Sequence, residues 1–148
     1  MADDWERVDV GAPDPDLMAS ARTIAETYEP LVTEAAFDDP FDPDVVSLHL
    51  DGGIRSDTGR FDVTWTDRGY YRYHYTEGAD FNYRYDRHPR LDLPDNHFHK
   101  PPRAAHDNAV PSCIEVRTVR LVTLAVLQLW RDTVETGDVA SLQQPNPP

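Results

Sequence analysis

Apolar positions along the chain change their period twice. Between Asp16 and about Phe37, Leu17, Ala21, Ile24, Tyr28, Leu31 and Ala35 recur at intervals of three and four, which predicts an amphipathic helix. Asp14 or Asp16 is placed to cap it, and Pro30 should kink it or split it. The run DDPFDPD ends any helical pattern. From there the period becomes two. Val45 to Leu50 is β-branched and apolar and closes on the turn signal Asp51-Gly52-Gly53. Arg60 to Thr66 alternates, with Phe61, Val63 and Trp65 on one face, and Thr66 to Gly69 turns the chain. Tyr70 to Tyr75 and Phe81 to Asp86 alternate again across TEGAD. These runs predict an antiparallel meander of about four strands with one wet face. Helical spacing returns from Ile114 to about Thr136, where Val119, Val122, Val126, Leu129 and Thr133 mark one face, and Gly137 suits the stop.

The expected class is therefore α+β: one domain over residues 1–148, with an N-terminal and a C-terminal helix on one face of the sheet. Residues 1–13 read as a loose lead-in, with Trp5, Val8 and Val10 as candidate anchors. Residues 138–148 read as a disordered tail, and about 87–112 as a long, proline-rich connection without regular structure.

The hairpin carries a further expectation. With TEGAD as its loop, Tyr75 pairs near Phe81, Tyr73 near Tyr83 and Tyr71 near Tyr85. Six aromatics then share a face, which reads as core in preference to a base-stacking platform. The other face places Arg72 opposite Arg84 and His74 opposite Asn82. Two guanidiniums side by side call for an anion, supplied by Asp86, by Asp62 or by a bound phosphate.

Composition alters how the charge is read. The formal net charge is −13, and 20 of the 27 acids are Asp, while 13 of the 14 bases are Arg. Such self-repulsion is screened in molar salt, so the balance points to a halophile's protein. Salt adaptation would make any protein acidic, so the total does not exclude a nucleic-acid partner. No apolar run approaches the roughly 18 residues of a membrane span. The acidic start MADDWERVDV does not resemble a secretory signal, and Cys113 stands alone, both of which fit a cytoplasmic protein. Against this background one segment is basic. RYDRHPRLDLPDNHFHKPPR, residues 84–103, holds the single lysine, four arginines and three of the six histidines.

That segment admits three chemistries. His97 and His99 in an extended stretch point to one side, and with His88, Asp86, His106 and Cys113 they could assemble a zinc or manganese site. No CxxC or HExxH frame supports a metal, and nearby cations oppose one. The histidines could equally be solvated loop residues. Metal-free cleavage of RNA is the third: it needs a base for the 2′-hydroxyl, an acid for the 5′-oxygen, and cations for the phosphorane. His97, His99, Lys100, Arg84 and Tyr85 supply those types.

From Tyr70 onward, YYRYHYTEGADFNYRYDRHPRLDLPDNHFHK resembles the signature of the TumE-like family, described as toxins of type II toxin–antitoxin systems. The matching residues are Arg72 and Tyr73, then Tyr83-Arg84-Tyr85-Asp86, then His88-Pro89, then His97, His99 and Lys100. Arg87 stands where the family carries Asn, and Phe98 interrupts the histidine run. The resemblance implies a toxin acting on RNA and neutralised by a cognate antitoxin, with a homodimer as one possible assembly. On that reading His97 and His99 are acid and base, and Arg84 and Lys100 clamp phosphate. Arg72, Tyr85, His88, Asp86 and Arg103 bind substrate, and no cofactor is required. The alternatives are a non-enzymatic RNA- or protein-binding module built on the same loop, and a divalent-metal protein using His88, His97 and His99.

Overall fold

The structure is a computed structural model and describes residues 9–145 and Pro147. Trp5 and Val8 therefore lie outside the described residues, while Val10 is buried. Helix α1 spans Pro15–Tyr28. Asp14 caps it, one carboxylate oxygen accepting from the Asp16 and Leu17 amides.

Here the first expectation fails. Residues 32–37 do not continue a helix past Pro30 but form strand β1, Val32–Phe37. Proline removes a helical donor, and β-branched Val32 and Thr33 favour the extended chain. Leu31 to Ala35 fits a four-residue spacing, yet β1 is fixed by pairing with β2, Val46–Leu50. Next come β3 (Gly59–Trp65), β4 (Tyr71–Glu77) and β5 (Phe81–Arg87). The connection expected to be irregular holds β6 (Asn96–His99) and β7 (Ala109–Pro111). The sheet is thus a seven-stranded meander in chain order with every pair antiparallel, three strands more than the alternation predicted.

Helix α2 spans Val119–Thr136, starting later than Ile114, because the Thr118 hydroxyl caps it by accepting from the Leu121 amide. Gly137 closes it at φ 72°, as a C′ glycine does. Beyond it the expected tail is ordered over a 3-10 turn, Val139–Gln143, and Leu142 is fully buried.

The register of the β4–β5 hairpin also differs. Glu77 pairs with Phe81, so the loop is only Gly78 to Asp80, with Gly78 at φ 54°. Tyr75 then faces Tyr83, Tyr73 faces Tyr85, His74 faces Arg84 and Arg72 faces Asp86. The slip is two residues, so each side chain keeps its face while its partner changes. The aromatic stripe is core: Tyr71, Tyr73, Tyr75, Tyr83 and Tyr85 are at most 1% exposed. The hydroxyls of Tyr73, Tyr75 and Tyr85 are met internally, whereas those of Tyr71 and Tyr83 are buried without a hydrogen-bond partner among the described residues. The Tyr73 hydroxyl lies 2.8 Å from Trp65 Nε1 and 2.5 Å from Thr123 Oγ1, and Tyr85 donates to the Leu142 carbonyl at 2.6 Å. Both helices and the closing turn therefore cover one face, and the other is left to polar side chains.

Candidate functional site

The polar face converges at one end on Asp86, which is completely buried. The pleat explains why. Asn82, Arg84 and Asp86 alternate with the buried Phe81, Tyr83 and Tyr85, and on β6 His97 and His99 flank the core residue Phe98. Pairing sets Asp86 opposite Arg72 on one side and opposite His97 on the other.

Two guanidiniums hold the carboxylate. Arg72 Nε lies 3.3 Å from Oδ1 and Arg84 Nε lies 2.9 Å from Oδ2. Of the anions considered for Arg72 and Arg84, the one found between them is therefore Asp86. Three imidazoles also aim Nε2 at the same Oδ2: His99 at 3.2 Å, His97 at 3.7 Å and His88 at 3.8 Å. All three rings are buried. Their rings meet edge-on, with centroids 4.6 Å apart for His88 and His97 and 5.2 Å for His97 and His99.

Burial by itself pushes Asp86 up, but His88, His97, His99 and Arg84 outweigh it and hold the carboxyl well below the usual range. Burial pushes His99 down, opposed by Asp86 and aided by the charge of Arg84, so the ring is biased toward neutral. The opposite ring nitrogens are anchored as well. Each Nδ1 lies near a backbone carbonyl: His88 to Pro89 at 3.1 Å, His97 to Pro94 at 3.4 Å and His99 to Ala105 at 3.4 Å.

The remaining expected residues fall elsewhere. Tyr85 is buried on the helix-covered face, so the structure does not bring it to the cluster. Lys100 and Arg103 are exposed beyond β6, with Arg103 in a parallel bridge to Asn82. Two histidines that the RNA-cleavage reading left out, one of them the metal candidate His106, lie close by. His74 is half-buried and contacts Asn82 Oδ1 at 3.0 Å, and exposed His106 places its ring 6.4 Å from that of His99. His74 was legible as a wet-face residue of β4. His106 carried no signal beyond being a histidine in the loop, since a 3-10 turn at His106–Asn108 sets its position.

Among the described residues, Asp86, His88 and His97 offer three ligand atoms within 4.8 Å of one another. No helix among them is long and apolar enough to cross a membrane. The chain matches no curated protein and no solved structure. A family model described as Toxin TumE matches residues 20–135, from within α1 almost to the end of α2.

Proposed function

The chain belongs to the TumE toxin family, and from that premise we propose that it is the toxin of a toxin–antitoxin pair, held inactive by a protein antitoxin and directed at RNA. The observation that carries the reading is the Asp86 centre. Two guanidiniums fixed by a single carboxylate leave one positive charge in excess. Arg72 and Arg84 keep 19% and 14% of their side-chain surface exposed, enough to meet a phosphate on the polar face. Lys100 and Arg103 at the exposed rim are suited to neighbouring phosphates.

Next to this anion site stand two imidazoles with different environments. His99, biased neutral by burial and in contact with Arg84, suits a base. His106, exposed and 6.4 Å away ring to ring, suits an acid. In this scheme His99 takes the 2′-hydroxyl proton as the 2′-oxygen bonds to phosphorus. The bond to the 5′-oxygen breaks, and His106 supplies that oxygen with a proton. The arginines stabilise the charge on the phosphorane. His97, placed behind His99, positions it.

Single-turnover cleavage of labelled RNA in about 2 M KCl, where the acidic surface is screened, tests the scheme. His99→Gln and His106→Ala should each lower the rate by about 10²–10⁴-fold with the circular dichroism spectrum unchanged. Wild-type rates in both folded variants would overturn it. The burial of His88, His97 and His99 favours a second reading, in which the basic face binds RNA and inhibits by occupancy. Retarded bands without fragments would select that reading.

A further inference from the structure

The cluster holds a feature that acid–base catalysis does not use. His88 and His97 direct Nε2 at Asp86 Oδ2 from 3.8 and 3.7 Å. These separations are too long for a charge-assisted hydrogen bond. They lie just above the spacing of atoms sharing one ion, because two ligands about 2.0–2.2 Å from a tetrahedral metal lie roughly 3.3–3.6 Å apart.

The tautomers point the same way. A carbonyl oxygen can only accept, so the contacts of His88 Nδ1 with Pro89 and of His97 Nδ1 with Pro94 put the ring proton on Nδ1. Each ring then turns Nε2 toward a carboxylate oxygen, the edge that a metal would occupy. The two Nε2 atoms and the carboxylate oxygen gather within 4.8 Å of one another, as the ligands of one ion do. His97 Nε2 is buried and completes no hydrogen bond, and neither does Asp86 Oδ2. His99 is different, because its Nε2 lies 3.2 Å from an Arg84 Nη2 donor. Backbone carbonyls orienting imidazoles from behind are what metal-binding histidines commonly show.

We propose that Asp86, His88 and His97 bind one divalent first-row transition-metal ion, of the zinc or cobalt class, in a two-histidine, one-carboxylate site. The donor set matches the borderline preference of these ions for imidazole nitrogen with one hard oxygen. Arg72 and Arg84 oppose the added charge, which the Asp86 carboxylate offsets only in part, so affinity is lower than in a site without them. The ion's role follows from what it ties together. His88 begins the loop after β5, and His97 and Asp86 pair across β5 and β6. A metal here closes the 88–95 loop onto the sheet as a structural clip, held partly by His97, whose ring lies 5.2 Å from that of His99. The inference does not depend on RNA being the target.

The test uses the full chain, free of any histidine tag and stripped by chelator, in about 2 M KCl. Zn²⁺ titrated by calorimetry should bind with one ion per chain and raise the thermal midpoint. Co²⁺ should give a visible absorption band distinct from that of the aqueous ion, reversed by EDTA. His88→Gln and His97→Gln should each abolish the heat and the stabilisation, whereas His49→Gln on β2 should leave both intact. If a glutamine variant fails to fold, the cobalt band and the stoichiometry of the wild-type chain still decide. Absence of Zn²⁺ and Co²⁺ binding by the wild-type chain, or undiminished binding in both folded glutamine variants, would overturn the proposal.

Discussion

Asp86 has more partners than any other side chain at the site, and its role depends on what surrounds it. A buried carboxylate alone would be protonated. Here two guanidiniums and three imidazoles keep it charged. Replacing it with the near-isosteric amide leaves two confined cations without their anion. Asp86→Asn should therefore lower unfolding free energy by about 3–5 kcal/mol, the range for breaking a buried charge pair, measured by urea denaturation in high salt. Cys113 gives a residue-scale contrast. Burial pushes its thiol up to about 11, with Sγ 3.7 Å from the Leu142 carbonyl. Thiolate is the reactive form, so iodoacetamide should label native Cys113 slowly at pH 8 and faster as the pH rises toward 11. Labelling at pH 8 as fast as in the unfolded chain would contradict this. The residue types of the site were readable from Arg-Tyr-Asp, His-Pro and His-x-His. The centrality of Asp86 was not, because a two-residue error in the hairpin loop set Arg72 opposite Arg84 and left the intervening anion undecided.

At the scale of elements, the legible parts had enough residues to display a period. Strands β2 to β5 and helix α2 did. Strand β6 has four residues with Phe98 as its one core contact, and β7 has three and ends on Pro111, so neither shows an alternation. Strand β1 carried spacing compatible with either structure, and only pairing with β2 decides it. The closing turn was missed for a related reason. Val139, Ala140 and Leu142 are too few to display a period, yet Leu142 is fully buried and its carbonyl receives the Tyr85 hydroxyl. Gln143 adds to this clasp, its side chain accepting from the Cys113 amide and donating to the Pro111 carbonyl. Leu142→Ala should accordingly cost about 2–5 kcal/mol, the range for large-to-small changes in a core. Tyr85→Phe should cost about 1–3 kcal/mol by leaving the Leu142 carbonyl only the weak Cys113 thiol as donor, and it should not change any RNA cleavage per folded molecule. A selective loss of cleavage in Tyr85→Phe would return this tyrosine to the substrate side.

For the molecule as a whole, the sheet separates two tasks. One face, with both helices and the closing turn, is dry and aromatic. The other sets Arg72 and Arg84 on the Asp86 centre, with Lys100 and Arg103 exposed beyond β6, on a chain whose formal charge is −13. Residues 84–103 sum to +2, five bases less three acids, so the remainder carries −15. That excess opposes compaction over distances comparable to the Debye length, about 10 Å at 0.1 M salt and shorter as salt rises. The buried ion pairs at Asp86 are screened far less than exposed charges. Added KCl should therefore relieve the surface repulsion without dissolving the site, and the folded state should gain stability from low to molar salt. A gain of about 2 kcal/mol would raise the thermal midpoint by roughly 4–8 °C for a chain of this length, read by circular dichroism at several KCl concentrations. NaCl should act much as KCl does, since screening depends on ionic strength. A midpoint that stays flat or falls with salt would mean that the acids are already paired within the fold, and halophilic adaptation would no longer account for the charge.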